Sequence, residues 1–137
     1  MRYTIHTDGG SRGNPGPSAI GVVVLDEGQT AVYELAKYIG TTTNNEAEYQ
    51  ALQASLEWLL DHQADVTAVT WKLDSKLILE QVQKHWKIKE PRLLVYAQNC
   101  WKLLEKITCD YSLVYVPRAQ NACADALVNQ ALDAQAA

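Results

Sequence analysis

Thr7-Asp8-Gly9-Gly10-Ser11-Arg12-Gly13-Asn14-Pro15-Gly16-Pro17 interrupts two apolar, β-favouring runs, and the fold reading begins there. Before it, Tyr3, Ile5 and Thr7 alternate with Arg2, Thr4 and His6, the period of two that marks a strand. After it, Ile20 to Leu25 is a short, β-branched run suited to a strand buried on both faces. The small residues and prolines from Gly9 to Pro17 predict a turn-rich loop joining these two strands. Glu27-Gly28 predicts the next turn, and Ala31 to Ile39 a third strand in which Val32, Glu34 and Ala36 alternate with Tyr33, Leu35 and Lys37. Three successive strands with short turns make an antiparallel meander.

Beyond residue 40 the period lengthens. Asn44 and Asn45 are favourable N-cap residues. Tyr49, Leu52, Leu56 and Leu59 then place an amphipathic helix over Asn45 to about Asp61. Ala68 to Leu73 reads as a strand, and Ser75 caps a short helix carrying Leu77 and Val82. Pro91 opens another helix, which runs to about Ile107. Tyr111 to Val116 is the last strand, and Asn121 caps a final helix with Ala124, Leu127, Val128 and Ala131. The order β-β-β-α-β-α-α-β-α predicts an α/β fold, a mixed five-stranded sheet flanked by helices. No repeat or linker divides residues 1–137, so a single domain is expected.

Composition narrows the function classes. The chain is 47% hydrophobic and 20% charged, which is globular rather than disordered. No apolar run approaches the ~18 residues of a membrane span, and Met1 to Ile5 lacks the basic head of a secretory leader. Cys100, Cys109 and Cys123 are odd in number, with no Cys-x-x-Cys pair. Reduced thiols and a cytoplasmic location are the expectation. Twelve basic against 16 acidic residues leave a net charge of −4. A polyanion must then be met by local rather than overall charge.

Four acids stand where open α/β sheets gather ligands. Asp8 and Asp74 end predicted strands, while Glu48 and Asp125 lie near predicted helix starts. Two carboxylates about 4 Å apart repel by roughly 4 kcal/mol at an effective dielectric near 20, so four in one cleft require cations. Hard oxygen donors in that number suit Mg²⁺ or Mn²⁺. Two such ions form the clamp used in phosphoryl displacement. The same crowding predicts that Asp125→Asn stabilises the metal-free fold. Glu46 reads as an acid serving the helix dipole or the surface, and His6, His62 and His85 show no metal spacing.

The motifs themselves resemble a known family. Thr7 to Pro17 resembles the opening motif of type 1 ribonuclease H, and Thr43-Asn44-Asn45-Glu46-Ala47-Glu48-Tyr49-Gln50-Ala51-Leu52 its second motif. Leu73-Asp74-Ser75 is similar to the third motif and Val116 to Leu127 to the fourth, in order across essentially the whole chain. The resemblance implies the ribonuclease H-like fold and cleavage of the RNA strand of RNA–DNA hybrids. It also implies four metal ligands, Asp8, Glu48, Asp74 and Asp125, around two Mg²⁺ or Mn²⁺ ions. Asp8 would bridge both ions, Asp125 would complete the site of the ion that activates water, and Glu48 and Asp74 would hold the ion at the leaving 3′ oxygen. The products would be 5′-phosphate and 3′-hydroxyl ends. Where many members carry a histidine on a longer loop, this chain has Arg118 in a short one. Arginine stays charged and cannot shuttle protons, so Arg118 is expected at the scissile phosphate or in product release.

The resemblance also implies the substrate contacts. Gly10, Ser11, Arg12, Gly13 and Asn14 would lie near the RNA strand with Asn44 and Asn45, where 2′-hydroxyls distinguish RNA from DNA. Thr43 and Asn14 would hold a DNA-strand phosphate. Lys84, Lys87, Lys89 and Arg92 fall within nine residues and enclose Trp86, a combination suited to phosphate and sugar contact. This segment would lie beside the DNA strand, shorter than the basic handle of some relatives. The partner expected is an RNA–DNA hybrid, met by a monomer with no obligate protein partner. Three other readings stay open: another nuclease of the same fold, a hybrid-binding module without turnover, and a domain of a polymerase chain.

Overall fold

Alternating side chains from Arg2 onward do form the first strand, but the strand continues through the glycines. In the computed structural model, which describes residues Met1–Ala137, β1 spans Arg2–Ser11, β2 Gly16–Leu25 and β3 Ala31–Thr42. The expected loop from Gly9 to Pro17 therefore contracts to residues 12–15. Ser18 explains the early start of β2: its Oγ donates to Gly16 O (2.8 Å) and accepts from Thr42 N (3.3 Å). The ladder absorbs an irregularity here, between Ser18 and Ala19, where Gly40 takes φ +84°, a backbone state open to glycine.

The helices are α1 (Asn44–His62), α2 (Lys76–Val82), α3 (Pro91–Leu104) and α4 (Ala122–Ala136). The remaining strands are β4 (Ala68–Leu73) and β5 (Asp110–Tyr115). Thr43, rather than Asn44 or Asn45, caps α1: its Oγ1 accepts from Glu46 N at 3.2 Å. Ser75 caps α2 as expected, accepting from Ile78 N at 3.3 Å. The helix α3 stops three residues short of Ile107, and a 3₁₀ turn, Arg118–Asn121, precedes α4.

The sheet order is β3-β2-β1-β4-β5, with β1–β2 and β2–β3 antiparallel and β1–β4 and β4–β5 parallel. This is the mixed five-stranded sheet that the element order predicts. The helix α1 packs on β1, β2 and α3, while α4 packs on β1, β2 and β3. Ile5, Val22 and Val24 meet Tyr49, Leu52, Leu56 and Leu59 of α1 in the main core, with Trp71 fully buried beside them. Burying each large apolar side chain contributes about 1.5–3 kcal/mol. Two buried polar groups of the core find partners: Trp71 Nε1 donates to Ser55 Oγ (2.9 Å) and Tyr49 Oη to Gln81 Oε1 (2.7 Å). No helix is long and apolar enough to cross a membrane.

Candidate active site

Register sets the first two acids side by side. β1 and β4 run parallel with Thr7 opposite Leu73, so Asp8 and Asp74 are the next residues along adjacent strands. Glu48 arrives from α1, whose first turn lies directly against β1. A Cβ on Gly9 would stand 2.2 Å from the carbonyl carbon and oxygen of Ala47, so only glycine permits this approach. Gly9 N also donates to Glu48 Oε1 at 3.3 Å. On the other face, a Cβ on Gly21 would meet Ala124 O at 2.3 Å. Two glycines thus let α1 and α4 close on the strand ends.

One ligand atom from each of Asp8, Glu48 and Asp74 lies within 4.8 Å of the others. Asp125 stands outside that group but lines the same cleft, which has a volume of ≈ 370 Å³. Its Oδ1 accepts from Arg118 Nη2 at 3.2 Å and its Oδ2 from Asn129 Nδ2 at 3.4 Å. Burial is the largest influence on Asp8, pushing its carboxyl up to about 7. Asp74 and Asp125 push the same way, against a hydrogen bond with Glu48 and the charge of Arg118. Burial likewise raises Glu48 well above the usual carboxylate range, with Asp8 reinforcing it. Arg118 is held protonated above its ordinary value, first by Asp125 and then by Asp8.

Burial and mutual repulsion thus favour the protonated forms of Asp8 and Glu48 in the metal-free cleft. Glu48 Oε2 is buried and has no hydrogen-bond partner. An orphaned carboxylate oxygen beside two further carboxylates is a donor set for a hard divalent cation. The residues therefore fit Mg²⁺ or Mn²⁺.

The glycine-rich segment borders the cleft. Gly10, Ser11, Arg12, Asn44 and Asn45 line it, while Gly13 (φ +106°) and Asn14 sit in the short loop. Ser11 N donates to Asn44 Oδ1 (2.9 Å) and Asn44 N to Asn14 Oδ1 (3.0 Å), stapling the loop to the start of α1. Thr43 Oγ1 is engaged in the cap. Arg12 is turned to α4, where Nη2 pairs with Asp133 Oδ1 at 2.6 Å.

The basic segment lies between α2 and α3, and none of Lys84, Trp86, Lys87 or Lys89 lines the acidic cleft. Lys84 Nζ sits 4.7 Å from the centroid of the Trp101 ring, a cation–π contact. Trp86 is 45% exposed. Lys84, Trp86 and Lys87 border a second groove with Ile88, Leu94 and Trp101. Arg92 pairs at 3.6 Å with Glu46, whose side chain is largely covered in the first turn of α1.

One site residue escaped the sequence reading. Asn121 is expected as a helix cap, yet its side chain makes no capping bond. It is fully buried and donates from Nδ2 to Asp74 Oδ2 at 2.9 Å. An asparagine before a helix reads as a cap. Its place in a 3₁₀ turn, four residues before Asp125, is the signal that redirects it inward.

Comparison with known proteins agrees with this geometry. The family described as reverse transcriptase-like matches residues 6–131. The chain is 43% identical over 137 residues to the bifunctional protein Rv2228c of Mycobacterium tuberculosis, covering 99% of this chain and 37% of that protein. It is 41% identical to ribonuclease HI of Halobacterium salinarum, covering 96% of this chain and 65% of the relative. It thus spans well under two thirds of the first of these curated relatives. The solved structure of LC11-RNase H1 in complex with an RNA/DNA hybrid superposes with a TM-score of 0.92 at 41% identity, covering 98% of this chain and 99% of that one. Together with the four motifs in order, the sheet order and the Asp8–Glu48–Asp74 cluster, these likenesses place the chain in the type 1 ribonuclease H family.

Proposed function

We propose that residues 1–137 form one catalytic domain that hydrolyses the RNA strand of RNA–DNA hybrids endonucleolytically, leaving 5′-phosphate and 3′-hydroxyl ends. The observation that carries this reading is the Asp8–Glu48–Asp74 cluster, in which Asp8 and Glu48 are buried and Glu48 Oε2 is orphaned. Asp8, Glu48 and Asp74 would hold two Mg²⁺ or Mn²⁺ ions, with Asp125 as the outlying fourth carboxylate. Bound there, such ions lower the pKa of a water nucleophile and neutralise charge on the phosphate. Because the ions do this, the cleft needs no strong protein base.

The chain's own residues then bind and orient. Arg118, with its side chain 78% exposed, reaches the scissile phosphate or eases product departure. Gly10, Ser11, Gly13, Asn14, Asn44 and Asn45 present small side chains and amide groups to the RNA strand, where the 2′-hydroxyl is both donor and acceptor, and Arg12 stands beside them. Thr43 and Asn14 hold a DNA-strand phosphate. Lys84, Lys87 and Lys89 meet further phosphates of that strand, with Trp86 packing on a sugar. Supporting the substrate assignment is the hybrid bound by LC11-RNase H1, which shares 41% identity and the whole fold.

The test is an end-labelled hybrid incubated with Mg²⁺ or Mn²⁺ beside single-stranded RNA and duplex DNA. Cleavage confined to the RNA strand of the hybrid, and lost on chelation, is the expected result. Equal cutting of duplex DNA would reassign the chain to another nuclease of this fold. Tight hybrid binding with no cleavage would make it a binding module.

A further inference from the structure

Behind the acidic cluster lies a buried chain of side chains that the proposed chemistry does not use. His6 Nδ1 is 2.8 Å from Asn121 Oδ1. Asn121 Nδ2 donates to Thr7 O at 2.8 Å and to Asp74 Oδ2 at 2.9 Å. Asn121 is fully buried and His6 nearly so, so no water competes freely for these bonds. The Thr7 carbonyl can only accept, which fixes the amide with its NH₂ toward Thr7 and Asp74 and its oxygen toward the imidazole. Oδ1 can only accept as well, so His6 must carry a proton on Nδ1. Reversing the amide would set its oxygen against the Thr7 carbonyl and the Asp74 carboxylate together.

We infer that His6 is a positioning residue: donating from Nδ1, it locks the Asn121 amide, and Asn121 fixes which way the Asp74 carboxylate turns in the metal cluster. The inference rests on the metal-dependent hydrolytic reading of the cleft. An apolar side chain at position 6 fills the same buried space but leaves Oδ1 unpaired and the amide free to turn. Partners behind metal ligands tune affinity by about 10–100-fold. His6 does not line the cleft, so its effect should fall on metal binding rather than on hybrid binding.

Mn²⁺ titration followed by electron paramagnetic resonance, without nucleic acid, reads this directly. His6→Phe should weaken Mn²⁺ binding about tenfold or more. His6→Asn, which keeps an N–H at the Nδ1 position, should return it to within about threefold of wild type. The KM for hybrid should be unchanged in both. Wild-type Mn²⁺ affinity in His6→Phe, or no recovery in His6→Asn, overturns the proposal. Should His6→Phe not fold, ¹⁵N spectroscopy of the wild-type imidazole decides: a protonated Nδ1 with a bare Nε2 upholds the proposal, and the opposite tautomer ends it. A wild type that binds Mn²⁺ yet leaves hybrid intact would overturn the hydrolytic reading while the Mn²⁺ comparison still judges His6.

Discussion

Asp8 is the side chain in which burial and charge oppose each other most openly. It is 3% exposed, and its carboxyl is pushed from an ordinary 3.8 to about 7. Between those values the folded, metal-free protein holds a proton that the unfolded chain has released. Its stability must therefore fall as pH rises from about 4 to about 7. Glu48, raised by the same burial, acts in the same direction. Thermal melts in chelator across this range should show the decline, and Mg²⁺ should offset it at neutral pH. Asp8→Asn should flatten the decline and raise the metal-free Tm by about 3 °C or more. The same substitution should lower hybrid cleavage by at least about 10²-fold. Asp125→Asn, expected from crowding alone to stabilise the apo fold, should gain less. Asp125 is 31% exposed and is already paired with Arg118, so its removal also leaves that guanidinium unpaired.

At the scale of elements, the site depends on two backbone approaches that leave no room for a methyl group. Gly9→Ala would drive a Cβ into the Ala47 carbonyl. It should destabilise the fold by about 2–3 kcal/mol, as overpacking of a tight contact does. Gly28→Ala, whose nearest neighbour is 3.5 Å away, should change stability by no more than about 0.5 kcal/mol. Urea unfolding of the two variants checks the contrast. The succession of strands and helices was legible because hydrophobic period changes visibly, from two in Tyr3–Thr7 to between three and four in Tyr49–Leu59. Boundaries were less so, because long-range bonds set them. Gly16 and Pro17 read as loop by their turn chemistry, yet pairing with β3 draws them into the sheet. Asp8, Glu48 and Asp74 were legible through their motifs. That Asp125 sits apart, and that Asn121 points inward, depends on a 3₁₀ turn after Pro117 for which no periodicity speaks.

For the molecule as a whole, a net charge of −4 must be reconciled with the polyanionic substrate of the proposed function. The acidic cluster and the basic segment occupy different surfaces, so attraction at one place need not be cancelled at the other. Each phosphate contact contributes about 0.7–0.9 to the slope of log affinity against log salt. Replacing Lys87 and Lys89 together by Gln should therefore reduce that slope by about 1.4–1.8, with turnover at saturating hybrid unchanged. Binding isotherms from low to moderate salt test this. The arginines follow a different arrangement. Arg12, Arg92 and Arg118 each rest against a carboxylate of the protein itself, at Asp133, Glu46 and Asp125. On the proposed function, an incoming strand would have to draw these cations away from their internal anions, and those anions would reclaim them once the strand left. On that same reading, the competition would weaken the hold on a bound strand and ease its departure after cleavage.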